Sequence, residues 1–257
     1  MENCSYAVFN NVFNIVLHRV FNIKGVTMGN SDKKINNLVV KKNELIQKSR
    51  YGMTTQEQKV ILYTISKVKP DDKELYEYDF NLQDMCEALG ITQNGKNYKN
   101  LRETLQSIRD KSFWIVDGNV RKLCAWISGA EIYENESRVR IQLDKRLAPY
   151  LLELKESYTA YQLQTVLNME SKHTIRLYEI LKSYANIGEY TVSVENLKTL
   201  MQIGGYSDFI DFRKRVIDTA VDEINAVSDL RVAYEPTRTG RSITHIKFSI
   251  TKARSNP

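Results

Sequence analysis

The chain has 257 residues, of which 42% are hydrophobic and 26% charged, an ordinary balance for a folded protein that excludes wholesale disorder or a fibrous repeat. Its 37 Lys and Arg outnumber 31 Asp and Glu, and the resulting net charge of +6 favours an anionic partner such as nucleic acid. The length predicts two domains of about 100–130 residues each, and no apolar run approaches the roughly 18–20 residues that a membrane span requires.

Cys4, Cys86 and Cys124 are odd in number and far apart, with no CxxC pair and no histidine beside them. They read as reduced thiols of a cytoplasmic protein. His18, His173 and His245 are scattered, so neither a metal nor another cofactor is expected.

Residues 1–37 read as a leader to which no function is assigned. Phe9 to Val26 is apolar but interrupted by asparagines, His18 and Arg19, and it lacks the features of a signal peptide. Met28, followed by a polar stretch, is an alternative start.

From Thr54 to Val68 a helix is predicted, opened by the capping pattern of Thr54 and Glu57 and closed before Pro70. Tyr76 to Phe80 reads as a strand. Asn81 then caps a helix with Leu82, Met85 and Leu89 on its apolar face, stopped by Gly90. A second helix runs from Tyr98 to Ile108, with Leu101, Leu105 and Ile108 at helical spacing. Helix, glycine turn and helix make a helix-turn-helix. Phe113 to Val116, a turn at Asp117-Gly118 and Leu123 to Ile127 read as its wing, with Val139, Ile141 and Leu143 marking a third strand. A helix is expected between Leu143 and Lys155.

The same order recurs at an offset of roughly 115 residues, where LYTISK (62–67) answers LYEILK (177–182). A helix from Ser171 to Asn186 leads to a strand at Tyr190 to Val192 and a helix bearing Val194, Leu197 and Met201. The turn Tyr206-Ser207-Asp208 and a long helix from Phe209 to Val227 follow, with Phe212, Val216, Ala220, Ile224 and Val227 as the inward stripe. Leu230 to Tyr234 and Ile246 to Ile250 form a second wing around Thr239-Gly240. The expected fold is α+β, two tandem winged-helix domains related by pseudo-duplication, with a leader at 1–37, one domain at 38–155 and another at 156–257. The boundary falls at 156–159, with no flexible linker.

There is no serine elbow, glycine-rich phosphate loop, HExxH or Cys–His pair, so no catalytic residue is assigned and an enzyme is not expected. Asp71-Asp72 reads as a solvated turn. A helix-turn-helix instead offers a helix of the right width for the DNA major groove, with a hairpin beside it for the backbone. In the second unit the candidate DNA-binding residues are Ser207, Asp211, Arg213, Lys214 and Arg215, with Arg238 and Arg241 on the wing. Asp218 is expected to face outward as well. Asp211 fits cytosine or, equally, compensates the helix dipole. Pro236 to Pro257 holds five Lys or Arg and no acid, a pattern that suits phosphate or a solvated basic tail. The first-unit candidates are Lys96, Lys99, Asn100 and Arg102, with Arg121 and Lys122 on the wing, diluted by Glu103 and Asp117.

Four blocks carry a resemblance: LVVKKNELI (38–46), LAPYLLELK (147–155) with Tyr158-Thr159, RLYEILK (176–182), and Asp211-Phe212-Arg213 through Glu223-Ile224-Asn225. In that order and spacing, the chain resembles the plasmid replication initiators of the Rep-3 type over residues 38–251. The resemblance implies that the second unit reads repeated origin sequences (iterons) in double-stranded DNA through Lys214, Arg215 and their neighbours. It also implies that the first unit contacts DNA backbone and mediates dimerisation, that monomers open the origin and recruit the host initiator and replicative helicase, and that dimers repress the initiator's own gene. The residues by themselves equally suit a winged-helix transcriptional regulator, and a protein-interaction module is the rival of another class.

Overall fold

The computed structural model describes residues 38–69, 72–75, 77–91 and 95–253, with residues 95–98 described by backbone alone. The leader at 1–37 and Asp71 thus lie outside the described residues. Strand β1 (Leu38–Lys42) leads into α1 (Asn43–Lys48) and the short β2 (Ser49–Arg50). Helix α2 (Thr55–Ile65) starts at a capping box: the Thr54 hydroxyl accepts from the Glu57 amide at 3.2 Å, and the Glu57 carboxylate accepts from the Thr54 amide at 2.7 Å. Glu57 also takes hydrogen bonds from Ser107 and Lys111. Burial alone would raise its carboxyl, but these donors outweigh burial and hold it below the usual carboxylate range. Thr54→Ala is expected to cost about 1 kcal/mol of stability, read from the shift of the urea midpoint at unchanged slope.

Strand β3 (Glu77–Asn81) ends on the residue that caps α3 (Leu82–Ala88), where the Asn81 side chain accepts from the amides of Gln83 and Asp84. Gly90, at φ 68°, turns the chain out of that helix. In α4 (Gly95–Arg109), Leu101, Leu105 and Ile108 are buried as their spacing predicts. Two hairpins follow, β4 (Ser112–Asp117) with β5 (Val120–Ala125), and β6 (Ile127–Tyr133) with β7 (Arg138–Leu143).

Strand β8 (Tyr158–Gln162), α6 (Leu163–Leu167) and α7 (Lys172–Ser183) open the second half. Then come β9 (Glu189–Ser193), α8 (Val194–Leu200) and the long helix α9. Helix α9 passes from an α turn (Phe209–Phe212) through a π segment (Arg213–Asp218) to an α segment (Thr219–Val227). Strands β10 (Leu230–Thr239) and β11 (Ser242–Lys252) form its hairpin, turning at Gly240 with φ 63°.

Each half is therefore a helix, a strand, two helices and a hairpin. The lone strand pairs with the hairpin's return strand in both, giving the orders β3–β7–β6 and β9–β11–β10. This corrects the expected wing of the first unit. The equivalent of β10–β11 is β6–β7, whereas β4–β5 is an additional hairpin sheeted onto β2. Trp126 is the pivot: it is buried, stacked on Phe113 at 4.5 Å and edge-on to Tyr51 at 5.0 Å, and there the chain leaves one sheet for the other.

The helix expected between Leu143 and Lys155 shrinks to a 3₁₀ turn (Lys145–Leu147) and one α turn, α5 (Ala148–Leu151). Leu147, Tyr150 and Leu151 anchor that single turn in the core, while Leu152 is already extended and Glu153 has φ 50°. The helix expected to reach Asn186 stops at Ser183.

The halves share a core. Strand β1 pairs antiparallel with β8, from Leu38 opposite Gln162 to Lys42 opposite Tyr158, so this ladder spans the boundary read at 156–159. Helix α7, capped by Ser171, is buried from Thr174 to Leu181 and packs on α1, α2 and the end of α9. The two charged residues of its buried stretch, Arg176 and Glu179, find partners across this junction. Arg176 donates to the carbonyls of Ile46 and Ser49 at 2.8 Å each, closing the end of α1, and Glu179 pairs with Lys41.

Candidate nucleic-acid interface

Asp208 caps α9 by accepting from the Asp211 amide at 2.8 Å, which fixes where the helix begins. Phe212, Val216, Ala220 and Ile224 are buried as expected, and Phe212 lies under the Lys198 ammonium and beside the rings of Tyr206 and Phe209. The helix is thus bolted to α8 and to the turn before it. Asp211, Lys214 and Arg215 are exposed along the opposite side, and Ser207 is exposed in the preceding turn. Lys214 and Arg215 pair with no carboxylate among the described residues.

The π segment changes the expected facing of two residues. An extra residue in the turn lets Ile217 and Val221 join the core, and Val227 falls out of the apolar stripe to become exposed. Asp218 does not face outward. It is half-buried, accepts a hydrogen bond from the Tyr234 hydroxyl of β10 and lies 3.6 Å from Arg213. Burial and the bond to Asp218 push the Tyr234 hydroxyl up, so it stays a donor at working pH. Arg213 is consequently paired with Asp218 on its own helix, while Lys214 and Arg215 are left for solvent. No sequence signal marks the π turn itself.

The β10–β11 wing projects beside α9. Pro236 is tolerated because β10 is the outer strand of its sheet, and a register shift between Thr237 and Arg238 twists the tip. Arg238 and Arg241 are exposed there, without a carboxylate partner among the described residues. Ser207, Asp211, Lys214, Arg215, Arg238 and Arg241 thus all lie exposed in the second winged helix, whose helix and wing are joined through Asp218 and Tyr234, with Arg213 beside that junction.

The first-unit candidates are arranged differently. The side chain of Lys96 lies outside the described residues. Lys99, Asn100 and Arg102 are exposed on α4, but Lys99 is near Glu103 at 3.8 Å and Arg102 reaches Glu134 at 3.3 Å. Glu134 belongs to the β6–β7 tip, which is acidic, and Glu136 and Asp79 engage Arg138. Arg121 is exposed on the additional hairpin. Lys122 is turned back onto the body, bonded to the Tyr150 hydroxyl at 3.1 Å and 3.5 Å from Glu44. Among the described residues no group of three or more His, Cys, Asp or Glu is placed to hold a metal ion, and no helix is long and apolar enough to cross a membrane.

Sequence reading also passed over Ile210, which is 58% exposed on the first turn of α9. The signal was present, since an isoleucine two residues before inward-facing Phe212 points away from the core.

Family models account for nearly all of this. Residues 38–182 match "Initiator Replication protein, WH1", and residues 193–250 match "Initiator Rep protein, WH2". A replication initiation protein of Escherichia coli is 20% identical over 225 residues, covering 83% of this chain and 69% of that protein. Among solved structures, the Pi initiator protein in complex with iteron DNA is similar in fold, with a TM-score of 0.69 at 17% identity over 86% of this chain and all of that one. The chain belongs to the initiator replication protein family, and its α+β fold is a tandem pair of winged helices.

Proposed function

We propose that this protein starts plasmid replication by binding repeated origin sequences, with the unit at 156–257 as the reader and the unit at 38–155 as a weaker backbone contact and self-association module. The observation that carries the reading is the set of exposed cations without a carboxylate partner among the described residues: Lys214 and Arg215 on the exposed side of α9, and Arg238 and Arg241 on its wing. A helix so placed fits the major groove, and a basic wing fits phosphate. The Pi initiator, similar in fold, was crystallised with iteron DNA, which supports the choice of partner. The acidic β6–β7 tip argues against an equivalent phosphate contact by the first unit's wing. The role is binding rather than catalysis.

Self-association is supported by the additional hairpin. Trp114, 46% exposed, faces Leu123 across β4–β5, Val120 is exposed at the turn, and the outer edge of β5 has no strand neighbour among the described residues. Repression of its own gene as a dimer, recruitment of the host initiator and replicative helicase, and a cytoplasmic location complete the reading.

Fluorescence anisotropy against a duplex of the direct repeats beside the gene, and against a scrambled duplex, tests it at two salt concentrations. Arg215→Ala is expected to lose about 1–3 kcal/mol on the repeats and most of the discrimination, whereas Arg241→Ala should weaken both duplexes alike and lower the salt slope by about 1. Equal, weak binding to both duplexes by the parent protein would leave a transcriptional regulator of other sites or a protein-interaction module.

A further inference from the structure

We propose that Ile210 recognises the C5-methyl group of a thymine in the repeated sequence, acting as a sequence-determining contact beside Lys214. The inference rests on the DNA-binding reading of α9 and deepens it.

Nothing among the described residues accounts for an isoleucine at this position. It is 58% exposed, while its neighbours Phe209 and Phe212 supply the rings that pack beneath the helix. A first helical turn favours acidic or capping side chains, and a β-branched aliphatic gains little helix propensity there. The residue therefore exposes apolar surface with no return in local stability.

Its surroundings narrow the occupant. Lys214 stands one turn along on the same side, Asp211 and Ser207 flank it, and Arg215 lies beyond. An apolar protein surface would have to strip water from these cations. A partner suited to both features is anionic and presents a small apolar group. The DNA major groove does so at each thymine, whose methyl distinguishes A·T from the other pairs. Ile210 is also at the amino-terminal end of α9, the end of such a helix that meets base edges.

The test uses the full chain and the direct-repeat duplex, replacing each thymine in turn by deoxyuridine so that a methyl group alone is removed. One position is expected to weaken binding about fourfold, the size expected for one buried methyl. Ile210→Ala should lose a similar factor on the parent duplex and become indifferent to uracil at that position, while keeping its preference for repeats over scrambled DNA. Unchanged affinity of Ile210→Ala for the parent duplex, or an undiminished uracil penalty in the variant, overturns the proposal while the DNA-binding reading stands. Absence of repeat preference in the parent protein overturns both.

Discussion

Glu179→Ala is expected to cost about 3–5 kcal/mol of folding stability, the penalty for stripping one partner from a buried ion pair. Glu179 is 1% exposed on α7, where it pairs with Lys41 of β1 and accepts hydrogen bonds from the hydroxyls of Tyr161 and Tyr51, the latter at 3.3 Å. Burial pulls the Lys41 ammonium below its ordinary value despite the carboxylate beside it, and pushes both tyrosines up. Removing the carboxylate orphans one amine and two hydroxyls at the junction of the two halves. Glu179→Gln keeps an acceptor and should lose less, about 1–3 kcal/mol. Adding Lys41→Met to Glu179→Ala should return part of the loss, a coupling of about 0.5–3 kcal/mol in a double-mutant cycle. Urea denaturation of the four proteins measures this; strict additivity would show that the pair does not act as a unit.

Phe212→Ala is the second large loss, expected at about 3–5 kcal/mol for a fully buried phenyl ring. Phe212 is wholly buried and is the point at which α9 is fastened to Lys198 of α8 and to Tyr206 of the turn. Because it also sets how Lys214 and Arg215 are presented, the variant should discriminate repeats from scrambled DNA less well even at temperatures where it remains folded. Thermal and urea unfolding give the first number, and anisotropy below the transition gives the second. A loss below about 1 kcal/mol would mean that the site collapses onto the vacated volume.

Local signals in the sequence sufficed wherever their partners were local. The caps at Thr54 and Asn81, the stop at Gly90, the buried stripe of Leu101, Leu105 and Ile108, and the turn at Gly240 all depend on residues within a few positions of one another. Sequence motifs likewise identified the family. The tertiary structure decided what depends on distant pairing. Which hairpin is the wing turns on β3 choosing β7 and β2 choosing β4, and a period-two pattern is silent about the partner strand. The same holds for Asp218, which straight helical periodicity points outward but a π turn and Tyr234 draw in, and for Glu179 and Lys41, whose burial is tolerable only because residues more than a hundred positions apart meet. Chain-local chemistry sets which elements form, and the pairing of remote groups sets which faces remain exposed.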